Sequence, residues 1–362
     1  MSITSMKKNL FFRVDSGPEI GIGHMMRCLT LAQELKNNFD KVIFLTRKDS
    51  DYFMETIMEN GFEVVLLPTQ IIKPPKNIHE LNNYSDIIKN LITTYTRNKN
   101  YLLIDHYDID SAFELSLKNT FEKIFVIDDL ANRKHNCDLL IDQNYYRDLN
   151  HRYEKLIPNN AITLLGPKYA IIRPEFRSVN KKIIKKNSQI KKILVSFGGS
   201  DPTNECKKTL DALCSIENSQ FEIIVVAGIY NHKFEQLQKL YEKYSSIKIY
   251  RHVNDLSRLM LDSDLFIGAG GTTTWERLYM GLPSIVTIIS NDQKESIEFL
   301  SDTGHVINLG LAKNVTTKTY VQAIQKSNPD LIYSMSLNNQ KLVDGNGCSR
   351  IKKQIIELIN DA

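Results

Sequence analysis

The sequence lacks any apolar run long enough to cross a membrane. The longest apolar run, residues 221–229, has only the length of a strand. The N-terminal residues 1–9 contain two lysines but no apolar core of the kind that signal peptides have. We therefore expect a cytoplasmic protein without a membrane span.

Cysteine is scarce and scattered. The 362 residues include five cysteines, an odd number, and no two of them form a Cys-x-x-Cys pair. This pattern argues against a disulfide framework or a zinc site and for reduced thiols. No other set of His, Cys or carboxylate residues has the spacing of a metal site, so we predict no metal and no cofactor.

A strong excess of charge of one sign is also missing. The formal net charge of +4 does not indicate a nucleic-acid partner, although it suits a small substrate that carries phosphates. The sequence has no Gly-x-Ser-x-Gly nucleophile elbow and no kinase-type phosphate loop. It leaves the oligomeric state open, with a monomer favoured.

What the sequence does have is a regular alternation of strand-like and helical segments. In the first half, apolar runs typical of strands in a parallel sheet occupy residues 10–15, 42–46, 63–67, 101–105, 123–127 and 139–142. The alternation stops in the lysine-rich segment 177–192 and then restarts. We therefore predict an α/β protein with two Rossmann-like domains, residues 1–177 and 190–362, joined by a linker at 178–189. A ligand cleft is expected between them, at the carboxyl ends of both sheets.

A glycine-rich loop follows the first predicted strand and precedes a helical pattern. Gly21 and Gly23 allow the backbone to approach a ligand closely, and free N–H groups at the start of the helix point toward it. His24 ends the loop and is the side chain there that exchanges a proton near neutral pH. We expect Asp15 to hold the loop through hydrogen bonds to its amides.

This loop is not the fingerprint of a dinucleotide-binding protein. Gly21 and Gly23 begin a Gly-x-Gly-x-x-Gly pattern, but Met26 stands at the third glycine position. The next strand ends in Thr46-Arg47 rather than in the acidic residue that binds a ribose. The sequence therefore disfavours a Rossmann oxidoreductase.

Two further glycine-rich turns follow strands of the second half. The first, residues 196–204, contains Gly199, which would allow close approach of the backbone to a ligand. The alternative is that this turn only caps the next helix, through Asp201 or Thr203. The second turn contains Gly270, Gly271, Thr272 and Thr273. Their backbone amides and hydroxyls suit a diphosphate at the N-terminus of a helix. Glu276, one turn later, either accepts hydrogen bonds from two ribose hydroxyls or simply favours the helix dipole.

Other polar residues are expected near the same cleft. His106 and Tyr107 follow a strand end, where functional groups of open α/β sheets collect, although single residues of this kind are more often packing or loop anchors. Arg173 lies in the segment 166–176, which resists assignment to ordinary secondary structure and suggests an interdomain connection in contact with substrate. The polar run Asn291-Asp292-Gln293 either caps a helix or binds sugar hydroxyls and amides.

Taken together, these motifs resemble the UDP-sugar hydrolases of pseudaminic acid biosynthesis. The residues that carry the resemblance, in chain order, are Arg13-Val14-Asp15-Ser16, Gly21-x-Gly23-His24-x-x-Arg27-Cys28, Asp105-His106-Tyr107, Ile127-Asp128-Asp129-Leu130, Cys137-Asp138-Leu139-Leu140-Ile141-Asp142-Gln143-Asn144, Gly166-Pro167-x-Tyr169-Ala170, Arg173-x-Glu175-Phe176, Ser196-Phe197-Gly198-Gly199-x-Asp201-Pro202, and Gly268-Ala269-Gly270-Gly271-x-Thr273-x-Trp275-Glu276-Arg277. The resemblance spans most of the chain and adds Arg27 and Tyr169 to the candidate substrate-binding residues.

The resemblance implies a substrate and a reaction. The substrate would be UDP-2,4-diacetamido-2,4,6-trideoxy-β-L-altropyranose, and the products UDP and the free hexose, 2,4-diacetamido-2,4,6-trideoxy-L-altrose. His24 would act as general base on a water that attacks the anomeric carbon, with inversion and cleavage of the sugar C–O bond and without a metal. Tyr107 would orient the water or the sugar.

The second half of the sequence also resembles the two-domain GT-B glycosyltransferases, in particular the lipid-linked GlcNAc transferase of peptidoglycan synthesis. This resemblance implies that the loop at Val253 holds uracil, that the turn at Gly270 holds the diphosphate and that Glu276 contacts the ribose. The hydrolase family carries an adjacent Asn-Gln pair near the sugar, whereas Asp292 here separates Asn291 from Gln293.

Two alternative functions share the same UDP site. A UDP-sugar-dependent GT-B glycosyltransferase would bind an acceptor in place of the water, and the sequence does not exclude it. A non-catalytic nucleotide-sugar binding protein is the other alternative, but binding UDP alone does not call for an imidazole at His24.

Overall fold

The computed structural model describes residues 6–47, 51–68, 78–95, 98–179, 189–217 and 220–361. Most of the predicted linker, residues 180–188, lies outside this described part of the chain. The structure confirms the predicted fold class, since the described residues form two parallel α/β sheets.

The first sheet has seven strands, all paired in parallel, in the order β3-β2-β1-β4-β5-β6-β7. The strands are β1 (Lys8–Val14), β2 (Lys41–Arg47), β3 (Glu63–Leu67), β4 (Lys99–Asp105), β5 (Lys123–Ile127), β6 (Leu139–Asp142) and β7 (Ile162–Leu165). The helices are α1 (Gly23–Leu35), α2 (Asp51–Glu59), α3 (Ile78–Leu91), α4 (Ser111–Leu117) and α5 (Pro174–Ser178). The central strands are buried on both faces, which explains their unbroken apolar sequences.

The second sheet has six strands, also paired in parallel, in the order β10-β9-β8-β11-β12-β13. The strands are β8 (Lys192–Ser196), β9 (Glu222–Val226), β10 (Ile247–Tyr250), β11 (Leu265–Ala269), β12 (Ser284–Ile288) and β13 (Ile307–Leu311). The helices are α6 (Glu205–Ser215), α7 (Phe234–Tyr241), α8 (Leu256–Asp262), α9 (Thr273–Met280), α10 (Lys294–Asp302), α11 (Thr317–Lys326), α12 (Pro329–Leu342) and α13 (Gly347–Asn360).

Each sheet changes the direction of its strand order beside its first strand. In the first sheet β1 lies between β2 and β4, and in the second sheet β8 lies between β9 and β11. Crossovers leave in opposite directions at such a point, which opens a crevice at the carboxyl ends of the strands. The register that pairs Val14 with Asp105 brings the ends of β1 and β4 side by side in that crevice.

The last helix, α13, packs on the first sheet although it follows the second sheet in the chain. Its residues Cys348, Ile351, Ile355 and Ile359 are buried in the same core cluster as Leu10 of β1. The predicted C-terminal domain, residues 190–362, therefore ends in a helix that completes the core of the other half.

Replacing Ile355 by alanine should destabilise the protein by about 2–5 kcal/mol, because a fully buried side chain is removed and a cavity remains. Lys353→Ala, at an exposed position of the same helix, is the matched control and should change the free energy of unfolding by less than about 0.5 kcal/mol. Urea denaturation of both variants measures the difference. Equal stabilities would contradict the packing of α13 on the first sheet.

Candidate active site

A buried His–Asp pair lies where β1 and β4 end. His24 is in the first turn of α1, and its Nδ1 lies 2.5 Å from Oδ1 of Asp105, the last residue of β4. Because an ionised carboxylate only accepts hydrogen bonds, Nδ1 donates, and in the neutral imidazole Nε2 then keeps its lone pair. Burial alone would raise the pKa of the Asp105 carboxyl, but Arg27 and His24 hold that pKa well below its usual range. An imidazole in this arrangement is suited to accept a proton at Nε2.

Arg27 holds the carboxylate of this pair in place. One helical turn after His24, its guanidinium donates to both oxygens of Asp105, at 2.6 and 2.7 Å. Its Nη1 donates to both oxygens of Asp129, which follows β5, at 2.8 and 3.0 Å. The side chain is buried, and its Nη2 also lies 3.2 Å from Nδ1 of His24. The contacts of Arg27 thus support a role in positioning the pair, and the substrate contact expected for Arg27 stays a prediction.

Tyr107 lies beside the imidazole. The edge-to-face contact of Tyr107 and His24 has a ring-centroid distance of 4.5 Å. The Tyr107 hydroxyl donates to Oδ2 of Asp129 at 2.9 Å, so its remaining capacity is to accept a hydrogen bond. Burial and the Asp129 carboxylate raise the pKa of Tyr107 well above its ordinary value, so the phenol stays protonated. It is therefore able to orient the O–H group of a nucleophile.

Asp15 and His106 form a second, adjacent cluster. Asp15 accepts hydrogen bonds from the Arg13 side chain at 2.8 Å and from the backbone amide of Arg47 at 2.9 Å. Nε2 of His106 lies 3.2 Å from Oδ2 of Asp15. The described partners of Asp15 thus lie on β1, on β2 and just after β4, rather than among the loop amides that we expected. Backbone hydrogen bonds between Gly17 and Gly21 close the loop.

The glycine loops of the two halves face each other. A Cβ atom built on Gly23 would lie 3.0 Å from the side chain of Thr272, so a larger residue here would crowd that side chain. A Cβ atom on Gly199 would be 3.6 Å from Ile22, which places the second glycine-rich turn against the same loop. His24 therefore lies directly beside the contact between the first loop and the N-terminus of α9.

The glycine turn before α9 is held by the side chain of Gln293. Oε1 of Gln293 accepts hydrogen bonds from the backbone amides of Gly270 and Ile289, both at 3.2 Å. A Cβ atom on Gly270 would lie 2.4 Å from Ile297, so the turn packs tightly on α10. Gln293 thus shapes the turn in which Gly271, Thr272 and Thr273 present their polar groups.

Glu276 is paired with Arg173 from the segment that joins the two halves. Nε and Nη2 of Arg173 donate to the two oxygens of Glu276 at 2.6 and 2.9 Å. Each carboxylate oxygen keeps a lone pair for a further donor. The structure therefore brings together two predicted binding residues that are 103 positions apart.

The remaining predicted residues have the following places. Asp292 and Asn291 share a 3₁₀ turn with Gln293, and the Asp292 charge contributes to the raised pKa of Tyr107. Tyr169 and Val253 are partly buried against core clusters. Asp201 accepts hydrogen bonds from two amides at the start of α6, which confirms the capping alternative for that residue.

The sequence placed Asp105 and Asp129 at strand ends that could reach the cleft, but it did not assign either of them a role in the site. Asp105 ends β4 and Asp129 follows the neighbouring parallel strand β5, and that position was the available signal. What the sequence did not provide was the guanidinium of Arg27 between them, because contacts of this kind depend on how α1 packs.

Within the part of the chain that the structure describes, no three His, Cys, Asp or Glu side chains are grouped closely enough to hold a metal ion. None of the described helices combines the length and the apolar character needed to cross a bilayer.

The fold and the facing glycine turns define a class: the chain is a two-domain α/β protein of the GT-B glycosyltransferase fold. Residues 176–355 match the model of the Glycosyltransferase family 28 C-terminal domain. Among solved structures, MurG of Acinetobacter baumannii matches 97% of this chain and 99% of its own with a TM-score of 0.66 at 13% identity. The calicheamicin glycosyltransferase CalG4 matches 98% of both chains with a TM-score of 0.64 at 12% identity.

Three relatives show how far the sequence likeness extends. An uncharacterized protein of Methanocaldococcus jannaschii is 32% identical over 78% of this chain, which spans only 56% of the length of that protein. The spore coat polysaccharide biosynthesis protein SpsG of Bacillus subtilis is 26% identical over 93% of this chain and 94% of its own. The UDP-2,4-diacetamido-2,4,6-trideoxy-beta-L-altropyranose hydrolase of Campylobacter jejuni is 26% identical over 82% of this chain and 98% of its own.

Proposed function

We propose that this protein cleaves the glycosyl C–O bond of a UDP-sugar and transfers the sugar to a nucleophile that His24 activates. The observation that carries the proposal is the His24–Asp105 pair, with Nδ1 fixed on the carboxylate and located beside the contact between Gly23 and Thr272. Nε2 of His24 is left as the base. A base positioned in this way contributes roughly 10²–10⁴ to the rate.

The nucleotide would bind to the second half of the molecule. The free N–H groups at the N-terminus of α9 favour an anion, so the diphosphate would lie on the turn of Gly270, Gly271 and Thr272. Glu276 would accept hydrogen bonds from the two ribose hydroxyls, and the loop at Val253 would hold the uracil. This arrangement directs the anomeric carbon toward the first loop.

The nucleophile would approach from the wall formed by His24 and Tyr107. Its proton would pass to Nε2 of His24, while the Tyr107 hydroxyl accepts a hydrogen bond and fixes its direction. Attack on the face opposite UDP inverts the anomeric configuration and breaks the sugar C–O bond. The diphosphate leaves with its charge stabilised by the amides of the turn, and no metal is needed for that step.

A glycosyltransferase is the function that the comparisons favour. The family model that matches the C-terminal half describes a glycosyltransferase domain, and CalG4 shares the fold over nearly the whole chain. In this form of the proposal the nucleophile is a hydroxyl of an acceptor molecule, and the protein is a UDP-sugar-dependent transferase.

Hydrolysis is the second candidate, in which water replaces the acceptor. It is favoured by the likeness to the Campylobacter jejuni hydrolase, which extends over both halves and 98% of that protein. The substrate would then be the UDP-activated 2,4-diacetamido-2,4,6-trideoxy hexose that the name of this relative gives. The His24–Asp105 pair would serve either nucleophile in the same way.

Release of UDP with and without an acceptor separates the two candidates. The full chain is incubated with UDP-2,4-diacetamido-2,4,6-trideoxy-β-L-altropyranose or UDP-GlcNAc, and UDP is quantified by chromatography. Release that requires an added sugar or lipid acceptor supports the transferase, and rapid release in buffer alone supports the hydrolase. A UDP-sugar that binds but yields no UDP under any condition would contradict catalysis and indicate a binding protein.

Replacing Glu276 by alanine should weaken UDP binding by roughly tenfold to a hundredfold, because hydrogen bonds between the carboxylate and the ribose hydroxyls are lost. Binding of 2′-deoxy-UDP should change less, since one of those bonds is already missing. Titration calorimetry gives both affinities. Glu175→Ala is the control, because Glu175 also pairs with Arg173 but is not assigned to the nucleotide.

An equal loss for UDP and 2′-deoxy-UDP in Glu276→Ala would contradict the assignment of Glu276 to the ribose. A similar loss in Glu175→Ala would attribute the effect to Arg173 instead.

A further inference from the structure

Arg277 is a fully buried arginine directly beneath the glycine turn. It lies in the second turn of α9, with 1% of the residue exposed and its guanidinium 4.2 Å above the ring centre of Phe266. Nη1 donates to the carbonyl oxygen of Ala269, and Nη2 donates to Oγ1 of Thr274, both at 2.9 Å. Its polar contacts are thus with the two ends of the turn itself.

The charge of Arg277 has no carboxylate bound to it among the described residues. Its two hydrogen-bond acceptors are neutral, and its Nε has no hydrogen-bond partner. The adjacent Glu276 attracts it electrostatically, but Arg173 already donates to both oxygens of that carboxylate. Arg173 also pairs with Glu175, whereas no described carboxylate is bonded to Arg277.

A buried charge without a partner is costly for a folded protein. Burial lowers the pKa of Arg277 to about 9, despite the nearby Glu276, and the side chain remains charged at pH 7. The free protein thus holds a buried positive charge at the base of the turn that no described carboxylate binds directly. An anion above the turn would neutralise it.

We propose that Arg277 is a charge-compensating residue for a diphosphate ligand, acting through the glycine turn rather than by contact. The inference rests on the proposed function, because it concerns the same nucleotide site. It adds that the affinity of the turn for an anion comes from a buried side chain as well as from the backbone amides and the N-terminus of α9. In a low-dielectric interior such a charge acts on the ligand with little screening.

The inference predicts opposite effects on stability and on binding. Arg277→Gln removes the charge and keeps a donor for Ala269, so the free protein should unfold at the same temperature as the wild type or at a higher one. UDP should bind about tenfold more weakly, UMP should lose less and uridine should bind unchanged, because the loss follows the charge of the ligand. Arg277→Lys, which keeps the charge, should recover most of the affinity.

Titration calorimetry of the full chain with UDP, UMP and uridine tests these expectations. Lys326→Gln, which makes the same change in net charge at an exposed position, is the control and should bind all three ligands like the wild type. If Arg277→Gln does not fold, Arg277→Met removes the same charge and keeps an apolar contact with Phe266. Failure of both neutral variants to fold would overturn the inference, since the free protein would then depend on the cation.

Two binding results would also overturn it. Unchanged UDP affinity in Arg277→Gln would show that the charge is not used, and an equal loss for UDP, UMP and uridine would show a distorted turn. By contrast, a wild-type protein that binds none of the three ligands would contradict the proposed function itself.

Discussion

His24→Gln should lose about 10²–10⁴ of the turnover while its affinity for UDP stays within about twofold of the wild type. Glutamine keeps a donor toward Asp105 but provides no group that accepts a proton near neutral pH. The nucleotide would bind to the other half of the molecule, at the turn before α9, so the substitution should leave it in place. Steady-state kinetics on the UDP-sugar and calorimetry with UDP measure the two effects separately.

His151→Gln is the matched control for this variant. His151 is also paired with an aspartate, Asp148, but its side chain is 65% exposed, and its described contacts are with Asp148 and Glu154 rather than with the His24 network. Its kinetics should equal those of the wild type. Near-normal turnover in His24→Gln would remove the imidazole from the mechanism, and a large loss of UDP affinity would place His24 in nucleotide binding instead.

Asp105→Asn should lower the rate by roughly 10²–10⁴, because the carboxylate fixes which nitrogen of His24 carries the proton. An asparagine NH₂ group that donates to Nδ1 moves the imidazole proton to Nε2, where the base is required. The loss should appear in kcat rather than in the affinity for UDP. Nuclear magnetic resonance of the imidazole nitrogens reports the change of tautomer directly.

The effect of Asp105→Asn on stability must be separated from its effect on turnover, because Asp105 is buried and accepts two hydrogen bonds from Arg27. Asp128→Asn is the matched control: Asp128 is a buried carboxylate at the end of the neighbouring strand, paired with Arg133 at 2.6 Å. Both variants should lose stability, and only Asp105→Asn should lose most of its turnover. Equal losses of turnover in Asp105→Asn and Asp128→Asn would show that Asp105 has only a structural role.

The pH dependence of stability follows from the same carboxylate. The pKa of Asp105 is lowered in the folded protein, so its contribution to stability is present above its unfolded value and is lost as the pH falls toward the folded value. This places the loss in the acid range, well away from neutral pH.

Most of the parallel sheets were predictable from the sequence. Strands such as β3, β5 and β6 lie at the predicted residues because strands buried on both faces require unbroken apolar runs. The edge strands β7 and β13 were missed, since their partly exposed faces interrupt that pattern. The docking of α13 on the first sheet was also beyond the sequence, because an amphipathic helix does not specify which core it covers.

The candidate site was predicted in part. The glycine loops and His24 carry local signals, since a turn between a strand and a helix is encoded by neighbouring residues. Pairs such as His24 with Asp105, or Arg173 with Glu276, join residues 81 and 103 positions apart and depend on the tertiary fold. For the same reason the partners of Asp15 differed from those expected.

An NMR time course with the UDP-sugar shows whether His24 activates a nucleophile that inverts the anomeric centre, because it follows the anomeric proton of the first product formed. We expect that the wild type releases UDP and a sugar product of inverted anomeric configuration, and that His24→Gln forms neither at a comparable rate. A first product that retains the configuration, or equal product formation by the wild type and His24→Gln, would contradict this expectation.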